Sequence, residues 1–482
     1  MTRDEFQRVY DAGPDTVFAL FERMQATTAA LTARVQQLEN QLATKSHNSS
    51  KPPSSDGFAK KTRSRREKSG KKPGGQPGHP GRTLSMVADP HHTLCHFPAM
   101  CSCCGEVLAG VAAADVERRQ VFDLPPVGVE VTEHQVGTKQ CPRCGCATRG
   151  EFPAWVTQPV QYGFGLLSLL VYLVVFQMLP WQRARELIAD LYGVQIGGGT
   201  LATAVARCFH GLAGTAARIR AALRQAQVVG FDETGVRIDG KLHWWHTAST
   251  PELTQYHVHP KRGREGIAAG AILPDFAGRA IHDAWSPYAS YGCAHGLCNA
   301  HHLRELTYLV EREGQEWAAE LIAVLVGAQR RVAAARAAGA RELEAETRGG
   351  IEEEYRRLVA AGWEANPAAA EPAAGTDAPP KRGRRAQSKA RNLLSRLRRD
   401  ERETLAFLYD FAVPFDNNQA ERDLRMMKVQ QKISGGFRSA EGAHCFGRIR
   451  GYLATMRKQA QPMLAAIENV FLGHPVVPSL SA

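Results

Sequence analysis

Val228-Val229-Gly230-Phe231-Asp232-Glu233-Thr234-Gly235 is the stretch on which the architecture turns. A short apolar run leads into an acid and then into turn-forming residues, so it reads as a buried strand ending at a carboxylate. Upstream, residues 153–227 read as wholly helical. Downstream, Val228 to Phe231, Val236 to Ile238, Leu242 to Ala248 and Thr254 to Val258 read as successive strands joined by short turns. Lys261 to Gly270 starts a helix, and Ala280-Ile281 is a further strand ending at Asp283. The pattern alone supports a mixed α/β core.

Two further acids stand in comparable settings. Asp283 precedes Ala284-Trp285-Ser286-Pro287-Tyr288, and Glu421 lies in Asp416-Asn417-Asn418-Gln419-Ala420-Glu421-Arg422, where a helix should begin. Two carboxylates at strand ends and one on a helix can hold a pair of divalent cations, the arrangement that serves phosphoryl transfer. Each acid also has a plainer reading. Asp232 suits a turn, Asp283 suits a cap for Trp285 to Ser290, and Glu421 has capping-box spacing from Asn418.

The flanks carry a resemblance. Gly230-Phe231-Asp232-Glu233-Thr234, Cys298-Asn299-Ala300-His301-His302-Leu303-Arg304 and Asp416 to Arg422 resemble the insertion-sequence-66 family of DDE transposases. Asn48-Ser49-Ser50-Lys51-Pro52-Pro53-Ser54-Ser55-Asp56 and Gly74-Gly75-Gln76-Pro77-Gly78-His79 do so too, and the blocks follow the family's order from about residue 17 to about residue 460. The resemblance implies a multidomain α/β chain whose ribonuclease-H-like mixed sheet core is broken by a helical insertion. Its first and fourth strands would lie side by side and bring Asp232 and Asp283 together. It further implies that Asp232, Asp283 and Glu421 hold two Mg²⁺ ions, with Mn²⁺ able to substitute, for DNA cleavage and strand transfer at the element's ends. Small accessory proteins from the same element are implied partners. A catalytically silent DNA-binding regulator, or a nuclease on the same fold without strand transfer, are the competing classes.

Other residues take their roles around these acids. Glu233, next to Asp232 on a strand, points to the opposite face, so Glu421 is preferred as third ligand. His301 either touches the scissile phosphate or is a buried, hydrogen-bonded histidine; Asn417 and Asn418 are accessory candidates, and His282 belongs to the strand surface. Cys298-x-x-His301 has metal-ligand spacing, yet no matching second pair follows. Arg304, Arg422, Arg425, Lys428 and Lys432 are candidates for phosphate contacts, because guanidinium forks match phosphate oxygens.

Composition fits a DNA partner. The 482 residues include 60 Lys and Arg against 48 Asp and Glu, giving +12, which favours a polyanion. Met1-Thr2-Arg3-Asp4-Glu5 does not read as a secretory signal, and the apolar run Phe164 to Leu179 falls short of the roughly 20 residues of a spanning helix. The expectation is a cytoplasmic, nucleoid-associated protein with no membrane partner.

Eight segments follow. Residues 1–44 carry an a/d heptad (Val17, Phe21, Met24, Thr28, Leu31, Val35, Leu38, Leu42), which predicts a coiled coil and a homo-oligomer. Residues 45–90 form a basic linker; from Lys45 to Arg82 eleven basic residues face two acids, a net +9, which suits phosphate neutralisation. Residues 91–152 hold the knuckles Cys101-Ser102-Cys103-Cys104-Gly105 and Cys141-Pro142-Arg143-Cys144-Gly145, so Cys101, Cys104, Cys141 and Cys144 predict one structural Zn²⁺. Cys95, Cys103, Cys146, His91 and His92 are alternative ligands, and Val127, Val129 and Val131 alternate as a strand would. Residues 153–227 contain a helix-turn-helix pattern around Tyr192-Gly193-Val194. Residues 228–305 and 406–460 are the two parts of the core, 306–405 the insertion, and 461–482 a tail. Within the insertion, Lys381 to Arg399 holds nine basic residues and no acid, which favours DNA over a solvated face.

Overall fold

The computed structural model describes residues 2–45, 47–49, 84–125, 127–368 and 387–479. Most of the basic linker, the Gly74 to His79 block, residues 369–380 of the insertion and the first part of the Lys381 to Arg399 run lie outside the described residues.

At the N-terminus α1 (Arg3–Asp11) is closed by a Thr2–Glu5 capping box, and Pro14 opens α2 (Pro14–Leu42), where its missing N–H costs nothing. The heptad residues Phe21, Met24, Leu31, Val35, Leu38 and Leu42 are all exposed along α2. Beyond its end, Glu311 receives His47 Nε2 at 3.0 Å and Asn48 Nδ2 at 3.3 Å, which ties the helix to the body of the chain.

The cysteine-rich segment holds two short antiparallel strands, β1 (Thr138–Gln140) and β2 (Ala147–Arg149), flanking the second knuckle. Val127, Val129 and Val131 are not a strand: all three are exposed and no ladder partner lies beside them. Residues 153–163 are not helical either. The helical region starts at α3 (Phe164–Val171), which runs into a π-helical turn at Tyr172–Phe176. Leu170, Val171, Val174 and Val175 bury there. Among the described residues no helix is long and apolar enough to cross a membrane. Next come α4 (Trp181–Tyr192), α5 (Gly198–Gly211) and α6 (Ala213–Gln225). Gly193 ends α4 in the left-handed region at φ 69°, which glycine enters without a Cβ penalty. α4 and α5 thus flank a break at residues 193–197.

The core sheet consists of β3 (Val228–Ile238), β4 (Lys241–Ser249), β5 (Thr254–His259), β6 (Arg279–His282) and β7 (Ala294–Leu297), with α7 (Arg264–Ala269) between β5 and β6. Its order is β5-β4-β3-β6-β7. β3, β4 and β5 are antiparallel neighbours, while β6 is parallel to β3 and β7 to β6. The first two expected strands are one, because Thr234 and Gly235 keep their pairing with Trp245 and Trp244. Asp232 therefore sits inside a strand, opposite Thr247, and not at its end.

Alternation along β3 assigns its two faces. Val229 and Phe231 pack with Ile219 and Leu223 of α6 and with Ile267 and Phe276. Val236 and Ile238 face the other way, into a cluster with Leu424, Met427 and Ile449.

The insertion is a helical body with its own core. It comprises α8 (Asn299–Glu313), α9 (Glu316–Ala337), α10 (Ala345–Ala365), α11 (Lys389–Arg399) and α12 (Glu401–Thr404). Leu306, Leu321, Leu325, Tyr355, Leu393 and Leu394 are fully buried in it. The basic run is unopposed in sequence but not in space. Arg396 meets Glu305 at 2.6 Å, Arg391 and Arg398 lie over Trp363, Lys389 over Tyr308, and Arg399 pairs with Asp400. In the described part of the run Lys389, Arg391, Arg396 and Arg398 contact neighbouring helices, while Lys389, Arg398 and Arg399 remain exposed.

The chain then returns as α13 (Asn418–Ser434), α14 (Ala440–Lys458) and α15 (Met463–Phe471). Residues 463–471 are no loose tail, since Ala466, Ile467 and Val470 are buried against the helical region. Asp423 fastens α13 to the sheet: its Oδ2 lies 2.8 Å from Lys458 Nζ and accepts Ser249 Oγ at 2.5 Å and Thr254 Oγ1 at 3.1 Å. Both charged side chains are nearly enclosed, with 12% and 11% exposure. Removing one partner strands the other, so Asp423→Ala is expected to cost about 3–5 kcal/mol in urea unfolding; a loss below about 1 kcal/mol would show that the pair does not hold α13.

Candidate functional site

The parallel register of β3 and β6 ends at the pair Gly230↔Ile281. Two residues further along each chain stand Asp232 and Asp283, on the face that carries α13. Helix α13 approaches that face closely because position 230 has no side chain. A Cβ there would meet Asn417 Oδ1 at 2.4 Å and Ala420 Cβ at 3.4 Å. Asn417 uses the space. Its Nδ2 donates to Phe231 O at 2.7 Å and its backbone N–H donates to Cys298 Sγ at 3.1 Å. It is 4% exposed, whereas Asn418 is exposed.

Glu421 comes from the first turn of α13. No side-chain cap bond closes that helix, whose cap position is Asn417, so the capping-box reading of Glu421 does not hold. Its carboxylate turns to α8 instead. Arg304 Nη2 lies 3.5 Å from Oε2, and His301 Nδ1 lies 3.8 Å from Oε1. Asp283 closes a local turn, its Oδ1 accepting the Trp285 N–H at 3.0 Å, and does not cap the short helix Tyr288–Ser290, whose cap position is Pro287. The turn behind it is strained, with Ala284 in the left-handed region at φ 66°, a conformation costing a non-glycine residue about 1–3 kcal/mol. Ala284 N–H donates to His282 Nδ1 at 3.2 Å, which leaves His282 Nε2–H to donate to His295 Nδ1 at 3.0 Å. His282, read from sequence as a strand-surface residue, is 2% exposed, and burial pushes it down to about 3, so it is neutral.

Burial, followed by the negative charges of Glu233, Glu421 and Asp283, holds the Asp232 carboxyl well above the usual carboxylate range. Two polar atoms beside it, His301 Nδ1 and Glu421 Oε1, are buried without a hydrogen-bond partner. The oxygens of Asp232, Asp283 and Glu421 do not all lie within 4.8 Å of one another, but a buried Asp232 carboxyl under the charge of its acidic neighbours, with orphaned ligand atoms nearby, fits a divalent cation.

Glu233 faces the other way. Its Oε1 takes a fork from Arg262 Nε at 2.9 Å and Nη2 at 2.7 Å, and Tyr288 donates to its Oε2. Arg262 is sandwiched in turn between Trp244 at 4.9 Å and Trp285 at 4.0 Å. These partners lie 29 and 55 positions from Glu233, and no local pattern in the sequence signals them.

The five basic candidates separate into two groups. Arg304 is engaged by Glu421, and Lys428 Nζ donates to Gly235 O at 2.7 Å. Arg422, Arg425 and Lys432 are exposed on α13.

The cysteine knuckles form locally. Gly105 and Gly145 take φ 76° and 74°, and Gly105 and Gly145 N–H groups close on Cys101 O at 3.0 Å and Cys141 O at 2.8 Å. Backbone N–H groups of Cys104 and Cys103 lower the Cys101 thiol, and those of Cys144 and Arg143 lower the Cys141 thiol. This donor set suits Zn²⁺. The knuckles stand apart, however. Among the described residues the one trio of ligand atoms mutually within 4.8 Å is Cys298, His301 and Glu421.

Residues 159–445 match the family model described as Transposase IS66 family, and residues 98–145 match the zinc-finger binding domain of transposase IS66. Residues 10–85 match a family of unknown function (DUF6444). No curated protein matches the chain. These spans define a nucleic-acid-cleaving class of protein with a zinc-finger domain. The chain belongs to the IS66 transposase family, the match covering more than half of its length.

A pH and metal dependence follows. An acid whose folded-state affinity for protons is raised makes the native state bind more protons than the unfolded one, so stability falls as pH rises. The loss begins above the ordinary Asp value of 3.8 and continues up to the raised folded value. At neutral pH without metal, Asp232→Asn should therefore raise Tm. Mg²⁺ should stabilise the wild type, by about 2.7 kcal/mol at a hundredfold excess over Kd, and should leave Asp232→Asn unmoved. Equal Mg²⁺ responses in calorimetry would contradict the cation site.

Proposed function

We propose that the chain is an active DDE transposase with a ribonuclease-H-like core, which binds the ends of its element, cleaves them and joins them to target DNA. One observation supports the reading: the negative charges of Glu421 and Asp283 act on the buried Asp232 carboxyl, with α13 seated over Gly230 of the same strand.

Asp232, Asp283 and Glu421 would hold two Mg²⁺ ions, with Mn²⁺ able to replace them. Bound there, such ions supply Lewis-acid activation of an attacking oxygen and charge stabilisation at the leaving one. The chain's own residues do the positioning. Asn417 fixes where Glu421 stands above β3. Arg304 holds one Glu421 oxygen from α8, and the Ala284 turn fixes the Asp283 carboxylate. Water opens the phosphodiester at the element's end, and the freed 3′-hydroxyl then displaces at a target phosphodiester in line. Neither step requires a Ser or Tyr nucleophile. Arg422, Arg425 and Lys432 on the outer side of α13 would meet phosphates.

The remaining segments would supply recognition. Cys101, Cys104, Cys141 and Cys144 would close on one Zn²⁺ to make the zinc finger a single module. α4 and α5 would read DNA as a helix-turn-helix. The exposed heptad of α2 would join copies for synapsis of two ends, and accessory proteins of the element would complete the assembly.

On an element-end duplex with Mg²⁺, Asp232→Asn and Glu421→Gln should each lose at least about a thousandfold in cleavage, corresponding to about 4 kcal/mol of transition-state stabilisation. DNA affinity should stay near wild type. Glu233→Gln, on the other face, should keep its cleavage chemistry to the extent that it folds. Full activity in Glu421→Gln would remove Glu421 from the site, and cleaved product that is never joined would replace the transposase reading with a nuclease.

A further inference from the structure

Cys298-x-x-His301 lacks a matching second pair in sequence, and the fold supplies a third donor from 120 residues away. The Cys298 sulfur, a His301 ring nitrogen and a Glu421 oxygen lie within 4.8 Å of one another. His301 Nδ1 and Glu421 Oε1 are 3.8 Å apart, close to the roughly 3.3 Å that two ligands with 2.0–2.1 Å bonds span at a tetrahedral angle. Neither atom has a hydrogen-bond partner, although both are buried. Arg304 engages the other carboxylate oxygen, which leaves Oε1 aimed at His301. Cys298 is 1% exposed, and its sulfur accepts the Asn417 N–H at 3.1 Å.

We propose that Cys298, His301 and Glu421 form a second transition-metal site, selective for Zn²⁺ or Cd²⁺ over Mg²⁺, which shares Glu421 with the acidic site and so competes with it. Thiolate and imidazole select soft and borderline ions, whereas Mg²⁺ demands oxygen ligands in near-octahedral geometry. Binding releases the Cys298 thiol proton to solvent and completes three protein ligands with one position open to water. Glu421 committed to this ion is withdrawn from Asp232 and Asp283. Zinc at this point therefore acts as a brake, separate from the structural zinc of the knuckles. The braking half rests on the proposed role of Glu421; the binding half rests on the three side chains alone.

The test is made on the full chain, equilibrated with Zn²⁺ and dialysed against metal-free buffer before bound zinc is counted. Wild type should retain one equivalent more than Cys298→Ser and one more than His301→Gln. Cys101→Ser/Cys104→Ser should lose a different equivalent, so the losses add when the changes are combined. Thermal melts identify a variant that does not fold, in which case the other of the pair decides. Equal retention in wild type and the folded variants would overturn the site. In the cleavage assay, with each protein referred to its own Mg²⁺-only rate, Cys298→Ser should need at least about tenfold more Zn²⁺ for half-inhibition, the minimum expected when a ligand shell is disrupted. Unchanged inhibition alongside a lost equivalent would overturn the brake and keep the site. Absence of Mg²⁺-dependent cleavage in every protein would count against the transposase chemistry, while the zinc count still decides the binding claim.

Discussion

The close seating of α13 on β3 is the constraint on which the candidate site depends. Bare space at Gly230 lets Asn417 reach the backbone of Phe231, and the Asp423–Lys458 pair holds the same helix two residues beyond Glu421. Between these anchors Glu421 has little freedom to leave the carboxylates of β3 and β6. Burying like charges together is costly, and the fold meets that cost with rigid contacts on every side: the Ala284 turn behind Asp283, the Arg262–Glu233 fork beneath the sheet, and the Arg304 contact from α8.

The helical insertion contributes more than bulk. It begins at α8, which carries His301 and Arg304 to Glu421, and its own core of Leu306, Leu321, Tyr355 and Leu394 fixes α8 against the sheet. Arg396, Arg391 and Lys389 of α11 contact Glu305, Trp363 and Tyr308, so part of a basic stretch also serves internal packing.

Much of this was legible in the chain. The parity of β3 placed Asp232 and Glu233 on opposite faces, and the family resemblance anticipated β6 beside β3. The knuckles announced themselves through their Cys-x-x-Cys-Gly spacing, and the two glycines take positive φ. What was not legible lay in contacts between distant residues. Thr234 and Gly235 look like a turn and yet continue a strand, because Trp244 and Trp245 pair with them. Asp423 and Lys458, and Glu233 and Arg262, are charge pairs that no spacing connects. The valines between the knuckles alternate as a strand does, but alternation without a partner ladder makes no sheet.

The most direct test of the central claim is anomalous diffraction from crystals grown with Mn²⁺. Two peaks about 3.5–4 Å apart, within bonding distance of Asp232, Asp283 and Glu421 and absent in Asp232→Asn, are the expected result. Well-occupied Mn²⁺ that avoids these three carboxylates, or that persists there unchanged in Asp232→Asn, would contradict the account.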